Sequence, residues 1–446
     1  MPDAHLTTAS FFSIAVLVVV YGFLISEKLN KVFVVSAGAL LLILAQIFKT
    51  SGLSSQAGAF QFVANNLDLL GFIIGMMVLV GIVKESGFFE AVAIWLVRAV
   101  KGRPIPLLVG LGILELVMTI LLPNIITTLV MTPILIILIK EFKFPAMPYF
   151  LVLIAMANVG GATTPISDPT TFYLAKTASL SFMQVVTNSG LLVLVLAIVS
   201  ILYALVLFWK PLKRVRVKAE DFERFDPGAA IKDRKILRIG TPILFATILL
   251  MALSSNIQQW TGVGLDDATI ALAAAIIAMG IFNVKIEHAF AKLVDWEILF
   301  FFMGLFIVVG ALQQTGVVSA LGHGMVSVTH GSVILLILMI AVGSGVLSTF
   351  IDNVPYNIAM IAAIQDMAKN NIYVYPLWWA LNLGTSLGGA GSPIGSTCNV
   401  VAIAQAEKEG IHIKFSKYLA YGFPLVIING FVTFGILYFR FGILKH

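Results

Sequence analysis

The sequence predicts an all-α polytopic membrane protein: two inverted repeats of five transmembrane helices plus one re-entrant hairpin each, with broken helices at the midplane. Three observations lead there. Apolar runs near the ~20 residues needed to span hydrocarbon recur along the chain, which is 59% hydrophobic and only 11% charged. Soluble domains carry about 25% charged residues. The two halves resemble one another at a nearly constant spacing. The basic residues are distributed very unequally between the two sides of the membrane that this arrangement defines.

Apolar runs interrupted by charge, Gly and Pro place helices near 10–26, 31–48 and 68–84. A hairpin follows at 104–140, then a broken helix at 146–175 and a helix at 185–209. Residues 210–238 form a charged linker, so the first repeat is 1–209 and the second 239–446. The second repeat reads as helices at 238–255, 266–283 and 295–315, a hairpin at 331–366, a broken helix at 375–405 and a helix at 418–440. The N-terminal stretch has no basic leader or small-residue cleavage pattern, so its first apolar run is expected to be retained.

A shift of 229 places Gly75, Gly81 and Gly87 on Gly304, Gly310 and Gly316, and Asn124 and Met131 on Asn353 and Met360. A shift of 228 places GGATTPISDPTT (Gly160 to Thr171) on GGAGSPIGSTCN (Gly388 to Asn399). A unit of roughly 200 residues is too long for a solenoid repeat and suits a duplicated transporter half. An odd number of spans per half inverts the second against the first. With the linker in the cytoplasm, 23 of the 28 Lys and Arg fall inside and only Lys49, Lys176, Lys369, Arg440 and Lys445 fall outside. Both termini are then outside, and the expected location is the inner (plasma) membrane.

The predicted membrane core keeps no Lys or Arg, but it keeps acids: Glu115 on the approach to the first hairpin, Asp168 in the first break and Asp352 in the second hairpin. An ionisable group at this depth costs several kcal/mol and usually serves ions, protons or substrate. Each acid also has a structural reading. Asp352 and Asp168 are good helix caps, and Glu115 could be a buried, permanently protonated acid. The hairpin tips carry Asn124, with Thr127 and Thr128, and Asn353, with Asn357. The breaks add Asn158, Thr163, Thr164, Ser392, Ser396 and Asn399 as polar candidates. Gly160, Gly161, Pro165, Gly388, Gly389, Gly391, Pro393 and Gly395 form the unwound or hinge backbone. A site of amides, hydroxyls, helix dipoles and carboxylates without a fixed cation suits a small cation or a small neutral polyhydroxy molecule. It suits a di- or tricarboxylate less well.

Other chemistries are excluded or unsupported. The single cysteine, Cys398, rules out an intrachain disulfide, a Cys-based zinc site and an iron–sulfur cluster. HExxH, GxSxG and GxxxxGK[ST] are absent, so no hydrolase or nucleotide motor is expected. The six histidines (His5, His288, His323, His330, His412, His446) form no metal cluster and read as surface residues. Asp68, Asp295 and Glu297 read as interfacial. No enzyme activity, cofactor, structural metal or nucleic-acid partner is expected; the lipid bilayer is.

The segments STFIDNVPYNIAMI and NLGTSLGGAGSPIGSTCNVVAIAQAEKEGIHIKFSK, with ANVGGATTPISDPTTF in the first half, resemble the ion transporter superfamily. The nearest group is that of the arsenite efflux permeases, NhaD-type sodium/proton antiporters and the P protein. The resemblance implies a re-entrant inverted-repeat fold, often dimeric, with an elevator-like motion. The family motifs fall on Asp352, Asn353 and Pro355; on Gly388, Gly389, Gly391, Gly395 and Asn399; and on Asn158, Gly160, Gly161, Asp168 and Pro169. One departure is Pro123-Asn124, where many members have Asp-Asn. It removes one of two symmetry-related acids. The function implied first is export of arsenite or antimonite as the neutral trihydroxide in exchange for protons. Asp352 is then the first candidate for the proton carrier, with Asp168 and Glu115 second. In the arsenical-pump branch a cytoplasmic ATPase subunit is the implied partner. The alternatives are sodium/proton exchange, with sodium or protons as the coupling ion, and a passive channel.

Overall fold

The structure is a computed structural model that describes residues 7–26, 29–49, 53–215, 226–262 and 264–443. His5, Lys28, Lys445, His446, both chain ends and the linker acids Glu220, Asp221 and Glu223 lie outside the described residues.

Among the described residues twenty α-helices form two sets of ten in the same order. The first set is α1 (Thr8–Ser26), α2 (Lys31–Leu44), α3 (Ser55–Ala64), α4 (Leu67–Glu85), α5 (Phe88–Ala99), α6 (Pro104–Leu121), α7 (Asn124–Phe142), α8 (Ala146–Gly161), α9 (Pro169–Thr177) and α10 (Phe182–Arg214). The second set is α11 (Thr241–Thr261), α12 (Asp267–Phe282), the short α13 (Ile286–His288), α14 (Trp296–Gln314), α15 (Val317–Val328), α16 (Val333–Ser348), α17 (Asn353–Lys369), α18 (Tyr375–Gly389), α19 (Thr397–Lys408) and α20 (Phe415–Tyr438). Seven helices among the described residues are long and apolar enough to cross a membrane, or eight if one bent pair is joined.

Each of the four interrupted segments read from the sequence contains a break between two helices. The hairpins are α6–α7 and α16–α17; the broken helices are α8–α9 and α18–α19. Proline opens α6 and α9 at the one position where a missing N–H costs a helix nothing. Four helices were not anticipated: α3, α5, α13 and α15. They are short, 3 to 12 residues, and lack a span-length apolar run. The helix expected to stop at 209 continues as α10 to Arg214, so the first residues of the charged linker are helical.

Packing repeats as the sequence does. α4 crosses α12, and the counterpart α14 crosses α2. Both crossings run over a glycine: a Cβ on Gly75 would meet the Ala271 backbone at 2.6 Å, and one on Gly304 would meet Val35 Cγ1 at 2.9 Å. Gly87 and Gly316 precede α5 and α15 with φ of +78° and +75°, a left-handed turn that glycine enters without steric cost. By packing, α6–α10 and α16–α20 form one bundle, flanked by two separate groups, α4 with α11 and α12, and α1–α3 with α14; α5 and α15 lie between the bundle and these groups.

Candidate functional site

Each break is tied to its surroundings by the same three hydrogen bonds. The hairpin-tip amide donates to the break: Asn124 N–H to Ser167 O at 2.9 Å and Asn353 N–H to Gly395 O at 3.2 Å. A hydroxyl pins the break to the end of the hairpin's first helix: Thr164 Oγ1 to Ile120 O at 2.9 Å and Ser392 Oγ to Thr349 O at 2.5 Å. A side chain on the second half-helix returns to the last carbonyl of the first: Thr171 Oγ1 to Gly161 O at 2.8 Å and Asn399 Nδ2 to Gly389 O at 2.5 Å. A buried unwound backbone must satisfy its polar groups within the protein, and these bonds do so. Thr164 and Ser392 are therefore fasteners of the breaks. Asn399, which also donates to Ser392 O at 2.8 Å, is one too.

The two halves are laced across the symmetry. Asn158 on α8 donates to Asn399 Oδ1 at 2.8 Å. Thr171 donates to Asn382 Oδ1 on α18 at 2.9 Å, while Asn382 Nδ2 donates to Ala162 O at 3.0 Å and lies 3.3 Å from Ser189 Oγ. Asn382 was not among the sequence candidates. Its signal was available: a buried amide three residues before the Thr385-Ser386 pair in an apolar helix. Thr171 was equally readable as the mate of Asn399 under the 228 shift.

At one point the symmetry fails, and there the site is richest. Asp168 caps α9. Its Oδ1 accepts from the Thr170 N–H and hydroxyl at 2.8 and 2.7 Å. Its Oδ2 accepts from Asn124 at 2.8 Å and from Asn353 at 3.4 Å. One carboxylate thus gathers the tip amides of both hairpins, and all its lone-pair directions face donors. The equivalent position in the second break is Ser396, whose hydroxyl meets only Cys398 Sγ, at 3.4 Å, among the described residues. Among the described residues no Lys or Arg hydrogen-bonds Asp168.

Glu115 lies inside the first hairpin, fully buried. Its Oε1 accepts from Thr127 at 2.9 Å and lies 3.4 Å from Thr128; Thr119 joins through Thr127 at 3.0 Å. Its Oε2 has no hydrogen-bond partner among the described residues. Asp352 stands apart from the Asp168 network. It caps α17 through Val354 N–H, accepts from Thr397 at 3.2 Å and pairs with Lys31 on α2 at 3.1 Å. The expectation that no lysine reaches the core acids does not hold for this one: α2 begins at Lys31, and its long stem carries the ammonium to the tip. Asn357 lies 3.4 Å from Thr385 Oγ1. Thr163 Oγ1, Asn158 Oδ1, Asn357 Oδ1 and Ser386 Oγ are buried without hydrogen-bond partners among the described residues. Gly160 and Gly388 let α8 and α18 lie against Thr119 and Ser348 of the hairpins. Gly391 and Gly395 meet the hairpin backbone or Thr349, while Pro165 and Pro393 sit within the breaks.

A cavity of about 810 Å³ runs along α4 from Lys84 past Met76 and Phe72 to Pro123 and Asn124. Lys84, Lys232 and Lys292 line it, and so do Glu85, Glu90, Asp295 and Glu297. The equivalent space at the second tip, between Phe301, Asp352 and Ile394, is closed to about 10 Å³. Among the described residues no group of His, Cys, Asp and Glu could hold a metal ion. His288 lies exposed against Glu85 at 3.2 Å.

Duplicated helices, two breaks meeting two hairpin tips, and a cavity reaching only one tip define a membrane transporter rather than an enzyme. The family model described as "CitMHS: Citrate transporter" matches residues 21–384, and the chain belongs to that family of secondary transporters, within the ion transporter superfamily. An uncharacterized transporter of Mycobacterium tuberculosis is 26% identical over 446 residues, covering 98% of this chain and all of the relative. One from Synechocystis is 26% identical over 441 residues, covering 94% of this chain and 95% of the relative. The P protein of Mus musculus is 24% identical over 503 residues, covering 96% of this chain but 59% of that protein. The crystal structure of the Alcanivorax borkumensis YdaH transporter, described as having an unusual topology, superposes with a TM-score of 0.59 at 14% identity, covering 98% and 99% of the two chains. That likeness concerns the fold.

Proposed function

We propose that the chain moves a small hydroxylated solute, arsenite or antimonite as the neutral trihydroxide, in exchange for protons. The observation that carries this reading is the convergence of Asn124 and Asn353 on Asp168, to which no Lys or Arg among the described residues hydrogen-bonds. Amides and a carboxylate offer hydrogen bonds to a neutral hydroxide ligand. They offer a polyanion mainly repulsion. The cavity supports the same choice, because its three lysines face four carboxylates and so make no net positive field. With Cys398 alone, three-thiolate binding within one subunit is excluded. Asp168 anchors the tips, and Asp352 is the proton carrier.

In this reading the second repeat is inverted, both hairpins are re-entrant, and the linker is cytoplasmic in a plasma membrane. The open cavity then faces the cytoplasm, and transport swaps open and closed tips between the halves. α6 and α7 are themselves long and apolar enough to be candidate spans. The re-entrant assignment therefore rests on their tip being buried against the break rather than on length.

The family description favours a second reading, an organic carboxylate such as citrate. That cargo would need a cation to accompany it to Asp168.

Counterflow in proteoliposomes tests the choice. The expected result is arsenite uptake driven by a pH gradient and abolished by Asp168→Asn. Arsenite movement indifferent to pH, together with sodium-driven proton movement or with citrate uptake, would overturn it.

A further inference from the structure

The two hairpin tips differ in access, and one ion pair coincides with that difference. Phe72, Pro123 and Ile166 line the open cavity; their mates Phe301, Asp352 and Ile394 line the closed one. The closed side also contains Lys31 and Tyr21. The glycine crossings align Ala271 of α12 with Val35 of α2, which makes Asp267 the mate of Lys31. The mates of Lys31 and Asp352 under the repeat are therefore Asp267 and Pro123. An attractive pair holds the second tip against α2, and its mirror image cannot form.

We propose that Lys31 is the positioning residue for coupling: its ammonium and the coupling proton compete for Asp352, and protonation of Asp352 frees the second tip from α2. This rests on the transporter reading above. The step is one proton onto a carboxylate oxygen, with the ammonium leaving in its charged form. Around Asp352 stand Lys31 from α2, Tyr21 from α1 and the Thr397 hydroxyl from α19, while Tyr356, one turn further along its own helix, donates to Ser344 Oγ at 3.1 Å. Asp168 is reached through the neighbouring Asn353. A second pair joins the central bundle to the other flanking group. Lys176 on α9 reaches Asp68 on α4 at 2.5 Å, and its mates, Ala404 and Glu297, again cannot pair. It adds to the same bias without touching Asp352.

Spin labels at Met77→Cys on α4 and Leu129→Cys on α7, in a Cys398→Ser background, read the width of the open cavity by double electron–electron resonance. Purified full-length protein without cargo suffices. The expected parent shows one dominant distance at neutral pH and a second population at acid pH. Lys31→Gln and the isosteric Asp352→Asn should show the second population at both pH values, with the population ratio changed about tenfold, as for loss of a partly buried pair. Lys31→Arg should keep the parent response. Lys176→Gln should shift the ratio while preserving its pH dependence. Parent-like populations and pH response in both Lys31→Gln and Asp352→Asn would overturn the proposal. So would a loss of pH dependence in Lys176→Gln equal to that in Lys31→Gln. None of these readouts uses arsenite, so a failed flux assay and a failed latch are separate results.

Discussion

The first and second breaks share their backbone bonds and differ in one side chain. At the first, Asp168 holds Thr170 and both hairpin tips. At the second, Ser396 holds almost nothing, and the acid stands on the tip instead, as Asp352 against Thr397. Each half therefore has one carboxylate joining a tip to a half-helix, contributed from opposite partners. The difference separates what the fold needs twice from what the function needs once. The backbone N–H bonds of the tips, the hydroxyl pins and the half-helix returns are duplicated, so they are architecture. The acids are not duplicated: Glu115 and Asp168 face Ser344 and Ser396, and Asp352 faces Pro123.

The strongest way to break this comparison is to remove the unique acid and its serine mate in parallel. Asp168→Ala strands the amides of Asn124 and Asn353 and the Thr170 hydroxyl, at about 1–3 kcal/mol for each buried donor left unpaired. A loss of about 3 kcal/mol is a factor of about 100 in binding, so flux in proteoliposomes should fall at least that far. Ser396→Ala removes one weak contact to Cys398 and should leave flux within about threefold, an ordinary surface-like change. Equal losses in the two variants would mean that the carboxylate is only another fastener.

The glycines that end the first half-helices give the next contrast. A Cβ on Gly389 would collide with Asn158 Oδ1, whose amide is held by Ile154 O and Asn399. On Gly161 the nearest atoms are the Asp168 Cβ and Oδ2 at 3.3 Å. Gly389→Ala should cost about 1–3 kcal/mol of overpacking, seen as a lower melting temperature in detergent, and Gly161→Ala distinctly less. Adding Asn158→Ala should relieve Gly389→Ala and leave Gly161→Ala unchanged. A purely additive double variant would show that the collision is not the cause.

Asn382 sharpens the lacing between halves. Asn382→Ala removes bonds to Thr171, Ala162 and Ser189 and leaves the Ala162 carbonyl to lose a donor. A loss of about 1–3 kcal/mol in stability is expected, measured by thermal unfolding. A change indistinguishable from that of an exposed residue such as Leu191→Ala would remove Asn382 from the brace.

Much of this was legible in the sequence because repetition is a one-dimensional signal. The shifts of 228 and 229 align Asn124 with Asn353 and one break with the other, and the hydrogen bonds of the two breaks repeat at those offsets. The acids were found because charge is rare in an apolar run. What escaped was set by packing. Lys31 reads as an interfacial lysine until α2 carries it to Asp352. Asn382 reads as one more polar residue until α18 is laid against α9. The sorting of candidates into Asp168 network and fasteners escaped for the same reason: Thr164, Ser392 and Asn399 are as polar as Asn124, and only the third dimension shows their side chains spent on backbone carbonyls. The short helices α3, α5 and α15 were missed because a 10- or 12-residue helix owes its stability to neighbours rather than to its own period.

The smallest expected effect compares the two left-handed turns. Gly87 and Gly316 have nearly the same φ, +78° and +75°, so alanine at either should cost about 1 kcal/mol or somewhat more for the left-handed backbone. Their surroundings differ. A Cβ on Gly316 meets nothing within 4 Å, whereas one on Gly87 would overlap the Ala230 carbonyl. That carbonyl belongs to the linker segment, which is further held by the Lys232 N–H to Ser86 O at 2.9 Å, and Lys232 reaches the mouth of the open cavity. Gly316→Ala should therefore lower the melting temperature slightly and do nothing else. Gly87→Ala should do the same and also lift residues 226–233 from the α4–α5 corner. Limited proteolysis reads the second effect, as new cleavage in that segment for Gly87→Ala alone. Cleavage appearing equally in both variants would trace it to general loosening, and the linker would then owe its position to something other than the turn it covers.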